Sequence, residues 1–322
     1  MIINFKSIPY IYNLFSKMVS KVPTVKLTSG QEMPVVGLGT YARQADPGQF
    51  RQAVEWGIEL GYRHIDTASF YGNEEEVGEG INNKIKEGLV TREQLFVTTK
   101  VWNDRHAEGE VVLSLKESLA RFKLDYVDLY LVHWPCSTNA RGGDAAIDYL
   151  ETWRGMEQTL KLGLAKSIGV SNFSEDQLER LLKNSTVKPV INQFEVNPTL
   201  TQHKLVDFCK QHSVLPVAYT PLGLISEARP EFIGKDAIKT DPKLGALAEK
   251  YGKTRAQIGL KYLVQRGIPV IPKSFTKSRI AENLNLFDFE LTDSEMALVD
   301  SFNIDHRCVP ATGFKNLKYY PF

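Results

Sequence analysis

The feature that most constrains this chain is an alternation repeated eight times. A short run rich in Val, Ile and Leu is followed by a longer segment with helical spacing, and then the pair recurs. The apolar runs begin at Val35–Tyr41, His64–Ala68, Leu95–Val101 and Val127–His133. They continue at Ala165–Val170, Val190–Val196, Leu215–Tyr219 and Ile268–Ile271. Helices are predicted between them at 47–60, 74–86, 109–122, 145–162, 174–183, 202–212, 241–251, 254–265 and 278–287. Gly61 stops the first, and Ser174 with Gln177 opens another as a capping box. Strands that are apolar on both faces belong to a parallel sheet covered by helices. Eight such units predict a closed single (β/α)8 TIM barrel. An open dinucleotide-binding sheet is rejected, because Gly37-Leu38-Gly39 has neither the third glycine nor the acid about 20 residues on.

Three pieces lie outside the repeat. An N-terminal β-hairpin is signalled by Thr28-Ser29-Gly30-Gln31, an extra helix is predicted at 293–302, and an irregular C-terminal tail runs from 303 to 322. Residues 1–17 are aromatic and apolar, with two lysines and no acid. They read as an N-terminal extension with no fold role, a targeting arm being the alternative, and residues 18–322 as the barrel domain.

Composition excludes several classes. A net charge of +1 gives no basic field for nucleic acid. No apolar run approaches the ~20 residues of a spanning helix, so no membrane partner is expected. Three widely spaced cysteines suit neither a disulfide framework nor a metal site, and fit a cytoplasmic setting. A metal-dependent barrel hydrolase would need more His and carboxylate ligands at the strand ends than one of each.

In such a barrel the C-terminal strand ends carry function. Here they hold Asp66 with Tyr71 just beyond, Lys100, and His133. Singly, each has a bland explanation: a loop-capping acid, a packed phenol, a solvated lysine, a core histidine. Together they come from three neighbouring strands and suggest a general acid acting on a carbonyl. A free phenol with a pKa of about 10 is a poor proton donor at neutral pH, and a nearby ammonium would lower that value. Aspartate would hold the lysine, and histidine would orient the carbonyl. With no nucleophile required, hydride from a cofactor is the expected partner. Lys273 and Arg279 offer two cations beside a helix start, a phosphate site that would favour a 2′-phosphate. Tyr219 can stack on a nicotinamide, and Ser171, Asn172 and Gln193 have donors and acceptors for its carboxamide.

The motifs Gly61-Tyr62-Arg63-His64-Ile65-Asp66-Thr67-Ala68, Tyr71-Gly72-Asn73-Glu74, Leu131-Val132-His133-Trp134-Pro135, Gly169-Val170-Ser171-Asn172-Phe173, Asn192-Gln193, Tyr219-Thr220-Pro221-Leu222-Gly223 and Ile271-Pro272-Lys273-Ser274 follow in order. With them, from about Val25 onward, the chain resembles an aldo-keto reductase. The resemblance implies Asp66, Tyr71, Lys100 and His133 as a catalytic tetrad, with Tyr71 donating the proton. It implies NADPH across the barrel top, contacted by Gly39, Thr40, Tyr41, Asp66, Ser171, Asn172, Gln193, Tyr219, Thr220 and Leu222, and at its adenosine end by Lys273, Ser274, Phe275, Thr276, Arg279, Glu282 and Asn283. Members that reduce steroid double bonds carry Glu where His133 stands, so carbonyl reduction is implied. Thr220 replaces a commoner Ser and keeps the hydroxyl.

The substrate pocket implied by the resemblance involves Tyr41, Tyr71, Trp102, His133, Trp134 and Cys308, from loops at 102–106, 134–144 and 305–311. Its aromatic character suits hydrophobic aldehydes, ketones or steroid-like rings. The chain is similar in style to insect members, some of which reduce ecdysteroid ketones. A monomeric reductase is expected, with a cofactor-binding regulatory or structural protein on the same barrel as the alternative.

Overall fold

The computed structural model describes residues 22–225 and 237–322. The expectation for residues 1–17 therefore lies outside the described residues. The predicted hairpin is β1 (Thr24–Lys26) paired antiparallel with β2 (Glu32–Pro34), turning at Gly30 with φ 90°. A parallel sheet follows: β3 (Leu38–Gly39), β4 (His64–Asp66), β5 (Phe96–Val101), β6 (Val127–Val132), β7 (Ala165–Ser171), β8 (Ile191–Glu195) and β9 (Leu215–Tyr219), neighbours in sequence order.

Seven strands are regular, and the eighth run closes the ring with fewer bonds. Val270 bridges both Val36 and Ala218. Gly37 N–H donates to Val270 O and Val270 N–H to Val35 O, while Ala218 and Ile271 exchange with the same segment on its other side. Pro269 and Pro272 have no N–H, so a full ladder cannot form there. Gly39 sits at this closure: a Cβ on it would lie 2.5 Å from the Ile271 carbonyl oxygen.

Because strand side chains alternate, each strand serves two cores. Inside the barrel, Phe96, Leu129, Leu131, Ile191, Val217 and Ile271 pack with Leu27 and Met33 of the hairpin, which plugs the lower end. The larger core between sheet and helices includes Val54, Ile58, Leu115, Phe122, Trp153 and Leu263. Fully burying one such aliphatic side chain stabilises by about 1.5–3 kcal/mol.

Helix ends follow local chemistry. Glu74–Lys86 forms as predicted. The first helix starts at Gln49, after Gly48 with φ 81°, so Pro47 stays outside it. The helix predicted from 145 is Tyr149–Lys161; Asp148 caps it by accepting from Leu150 N–H, and Ala146 just before it is left-handed. The capping box of Ser174 and Gln177 is present on Glu175–Asn184. The helix beyond the eighth run is Lys277–Leu284 and the extra helix is Asp293–Asp300. No helix among the described residues is long and apolar enough to cross a membrane.

Candidate active site

The mouth of the barrel opens on a cavity of about 380 Å³. Asp66 ends β4, in register with Gly39 and Thr98 on the strands either side. Lys100 stands on β5 on the same face as Thr98 and Phe96, two and four residues earlier, and so points along the barrel interior. Tyr71 closes a 3₁₀ turn, Ser69–Tyr71. That turn is tied to β5 by Ser69 Oγ donating to Lys100 O at 2.9 Å. Asn73 locks the next step: its Oδ1 accepts from Thr67 Oγ1 at 2.7 Å and its Nδ2 donates to Thr40 O at 3.0 Å. Thr40 Oγ1 donates in turn to Asp66 O.

The three strands bring the predicted groups together. Lys100 Nζ donates to Asp66 Oδ1 at 2.6 Å, to Thr67 O at 2.9 Å and to Tyr71 Oη at 3.4 Å. An ammonium has three protons, and these three acceptors account for them. Lys100 is 0% and Asp66 2% exposed, so the ion pair is held away from water. Asp66 Oδ2 accepts from Gln193 Nε2 at 2.8 Å. His133 follows β6, its N–H bonded to Val101 O, and its ring lies edge-on to Tyr71 with centroids 5.6 Å apart.

Electrostatics corrects one expectation. The Tyr71 phenol is not lowered: burial pushes it well above 10, and the Asp66 charge adds to that. The ammonium is shared with Asp66 and stands at the far limit of hydrogen bonding to the phenol. Burial also lowers Lys100, against the pull of Asp66. His133 is held well below 6.5 by burial, with Lys100 and His106 contributing, so its ring is neutral. The site therefore holds a protonated phenol, an ammonium paired to a carboxylate, and a neutral imidazole.

Of the residues predicted for the cofactor, Gly39, Thr40, Tyr41, Asp66, Ser171, Asn172, Gln193, Tyr219, Thr220, Leu222 and Lys273 line the cavity. Their polar atoms are already interlinked. Tyr219 Oη donates to Asn172 Oδ1 at 2.7 Å, Asn172 Nδ2 to His133 O at 3.0 Å, and Ser171 Oγ to Gln193 O at 2.7 Å. Ser274, Phe275, Thr276, Arg279, Glu282 and Asn283 are not on the cavity wall; they continue outward from Lys273. Phe275 packs on Phe50, and Lys273 Nζ sits 4.6 Å from the Phe275 ring centre. Thr276 stands at the N-cap of Lys277–Leu284 and its side chain makes no capping bond. First-turn N–H groups beside Lys273 and Arg279 suit a phosphate.

The predicted pocket residues Tyr41, Tyr71, Trp102, His133 and Trp134 line the cavity, and Cys308 does not. Its thiol belongs to the core and its N–H is bonded to Glu195. Its neighbours Val309, Ala311 and Phe314 form the wall instead. Of the loops at 102–106 and 134–144, only Trp102 and Trp134 reach the cavity. Sequence reasoning missed Phe70, which stacks on Trp102 at 3.7 Å and 15°, and Phe314, which contacts both tryptophans at 5.9 and 5.6 Å. Phe70 was legible as the residue before Tyr71; nothing in the tail marked Phe314. Also missed was backbone strain: Asn172 and Thr220 line the cavity with φ of 64° and 46°. A β-branched residue rarely takes that conformation, and such strain clusters at functional sites.

A family model described as "Aldo/keto reductase family" matches residues 35–304. Aldo-keto reductase AKR2E4 of Bombyx mori is 49% identical over 308 residues, 94% of this chain and 100% of that protein. Its crystal structure in complex with NADP superposes with a TM-score of 0.91, covering 94% of this chain and 100% of that one. Estradiol 17 beta-dehydrogenase 5 of Mus musculus is 42% identical over 319 residues, 95% and 99% of the two chains. Barrel and sequence agree, and the chain belongs to the aldo/keto reductase family.

Proposed function

We propose that this chain is an NADPH-dependent reductase that converts hydrophobic aldehydes and ketones to alcohols, with Tyr71 as the acid. The observation that carries the reading is Lys100 Nζ, fully buried and bonded to both Asp66 and Tyr71, which line the cavity. Two relatives, at 49% and 46% identity, have crystal structures in complex with NADP and with NADPH. NADPH, when bound, supplies the hydride that reaches the carbonyl carbon.

Everything else falls to the chain. The neutral His133 ring, beside Tyr71, orients the carbonyl oxygen by hydrogen bonding. Tyr71 Oη gives that oxygen its proton as negative charge develops, so carbonyl, hydride and proton together make the alcohol. The phenolate left behind meets the Lys100 ammonium, an attraction on the order of 4 kcal/mol at an effective dielectric near 20. Asp66 keeps the lysine in place and charged. General acid catalysis of this kind contributes about 10²–10⁴-fold in rate. Lys273, Ser274, Arg279 and the first turn of Lys277–Leu284 hold the 2′-phosphate end, and Tyr219 flanks the nicotinamide.

The aromatic wall of Tyr41, Phe70, Trp102, Trp134 and Phe314 supports a hydrophobic, ring-bearing substrate, with ecdysteroid-like ketones among the candidates. Three buried free thiols suit a reducing compartment such as the cytoplasm. The test follows loss of reduced-nicotinamide absorbance with aliphatic, aromatic and steroid carbonyls. Turnover is expected with the aromatic members. Tight NADPH binding with no turnover on any of them would make the protein a cofactor-binding module instead.

A further inference from the structure

Glu195 is fully buried at the end of β8 and is absent from the cavity wall and from the tetrad. Its two carboxylate oxygens are taken up by the C-terminal tail. Oε1 accepts from Cys308 N–H and Oε2 from Val309 N–H, both at 2.8 Å. The two sites are 113 and 114 residues apart in sequence. The tail approaches Glu195 already fixed: Ile304 and His306 donate their N–H groups to Thr199 O, and Asn303 Oδ1 accepts from Thr201 N–H. Val309, held in Glu195's fork, and Ala311 and Phe314 just after it are the three tail residues that face the cavity.

A second arm reaches the loop after β9. Asn197 Nδ2 donates to Glu195 Oε1 at 3.3 Å and to Thr220 O at 3.4 Å, while its Oδ1 is held by Thr199 N–H and Oγ1. Gly223 lies so close that a Cβ would come 2.4 Å from the Asn197 side chain. Thr220 and Gly223 both line the cavity. One buried carboxylate thus joins the tail to the loop after β9. Such a group has no role in proton transfer here, and burying it is costly unless its bonds are made.

We infer that Glu195 is a positioning residue that sets substrate-size selectivity, by clamping residues 308 and 309 so that Val309, Ala311 and Phe314 close on large substrates. This rests on the reductase reading above. A short aldehyde does not need that wall, whereas a two-ring ketone does.

The test uses the full chain and Glu195→Gln, which replaces one acceptor oxygen with a donor and strands one tail N–H. With acetonaphthone, KM should rise by about tenfold or more, the loss of one charge-assisted bond. With propionaldehyde, kcat and KM should stay within about twofold, because a short carbonyl does not reach the wall that the tail forms. Phe314→Ala should reproduce the selectivity loss, and Glu195→Gln on top of it should add less than about twofold, as expected for residues acting through one element. Equal losses on both carbonyls, or none on either, would overturn the clamp.

Hydrogen exchange supplies a readout independent of turnover. In the unaltered protein the amides of 308 and 309 should exchange at least about tenfold more slowly than in Glu195→Asp or Glu195→Gln. Fast exchange of both amides in the unaltered protein would sink the proposal even if no variant folds. Protected amides with no turnover on any carbonyl would defeat the reductase reading and leave the clamp standing.

Discussion

The ammonium nitrogen of Lys100 lies 3.4 Å from the phenol oxygen of Tyr71, although the two residues are 29 positions apart. Neither is free to move independently, since Ser69 in the tyrosine's turn donates to the lysine's own carbonyl. Removing the phenol oxygen therefore removes the proton donor without disturbing its frame. Tyr71→Phe should reduce kcat for carbonyl reduction by about 10²-fold or more. Stopped-flow binding should find the NADPH Kd nearly unchanged. Turnover at the original rate would refute the acid assignment.

The Asp66–Lys100 pair predicts a stability pattern as well as a loss of activity. Breaking a buried pair from one side costs about 3–5 kcal/mol, since the surviving charge is stranded. Asp66→Asn should thus be strongly destabilised in urea. Combining it with Lys100→Met should recover part of the stability while activity stays absent. If the double variant is no more stable than Asp66→Asn, the pair is not what holds this part of the fold.

Three perturbed groups bear on the pH profile. Reduction needs Tyr71 protonated, His133 neutral and Lys100 charged. The phenol is pushed well above 10, the imidazole well below 6.5, and the ammonium is lowered by burial. The kcat/KM for the carbonyl, measured at saturating NADPH, should therefore show no acid limb from about pH 6.5 upward, and its alkaline limb should come from Lys100 before Tyr71. An acid limb above about pH 6.5, or an alkaline limb that survives unchanged in Lys100→Arg, would overturn this ordering.

Folding stability should carry a different pH signature. Burial holds His64 down at about 4 and His106 at about 3. In the unfolded chain both titrate near 6.5. Their contribution is complete above that pH. It is lost as pH falls toward 4, because only the unfolded state takes up the protons. Each histidine should subtract up to about 1.4 kcal/mol per pH unit in that range. Urea midpoints at pH 7 and pH 5 measure this, with no fall between them counting against the buried, neutral rings.

Outward from Lys273, beyond the cavity wall, Arg279→Ala should weaken NADPH by about tenfold or more and leave NADH nearly unaffected, since a charge-assisted bond contributes about 1.5–3 kcal/mol. Isothermal titration with both cofactors distinguishes this from general damage, which would weaken the two equally.

The alternation of apolar runs with helical segments determined the barrel by itself. Strands that must hide both faces have few arrangements open to them, and eight in sequence close on themselves. Strand-end position also exposed Asp66, Lys100 and His133, because polar groups at the ends of apolar runs are conspicuous. What the sequence left undetermined was whatever depends on contact across long separations. Phe314 joins Trp102 and Trp134, and Glu195 grips residues 308 and 309, only because the tail folds back over the barrel mouth. The tail has no periodicity to announce its path. The raised phenol of Tyr71 likewise came from burial and from the nearby Asp66 charge. Desolvation is a property of the packed site, and no pattern of residue types states how much water a fold will exclude.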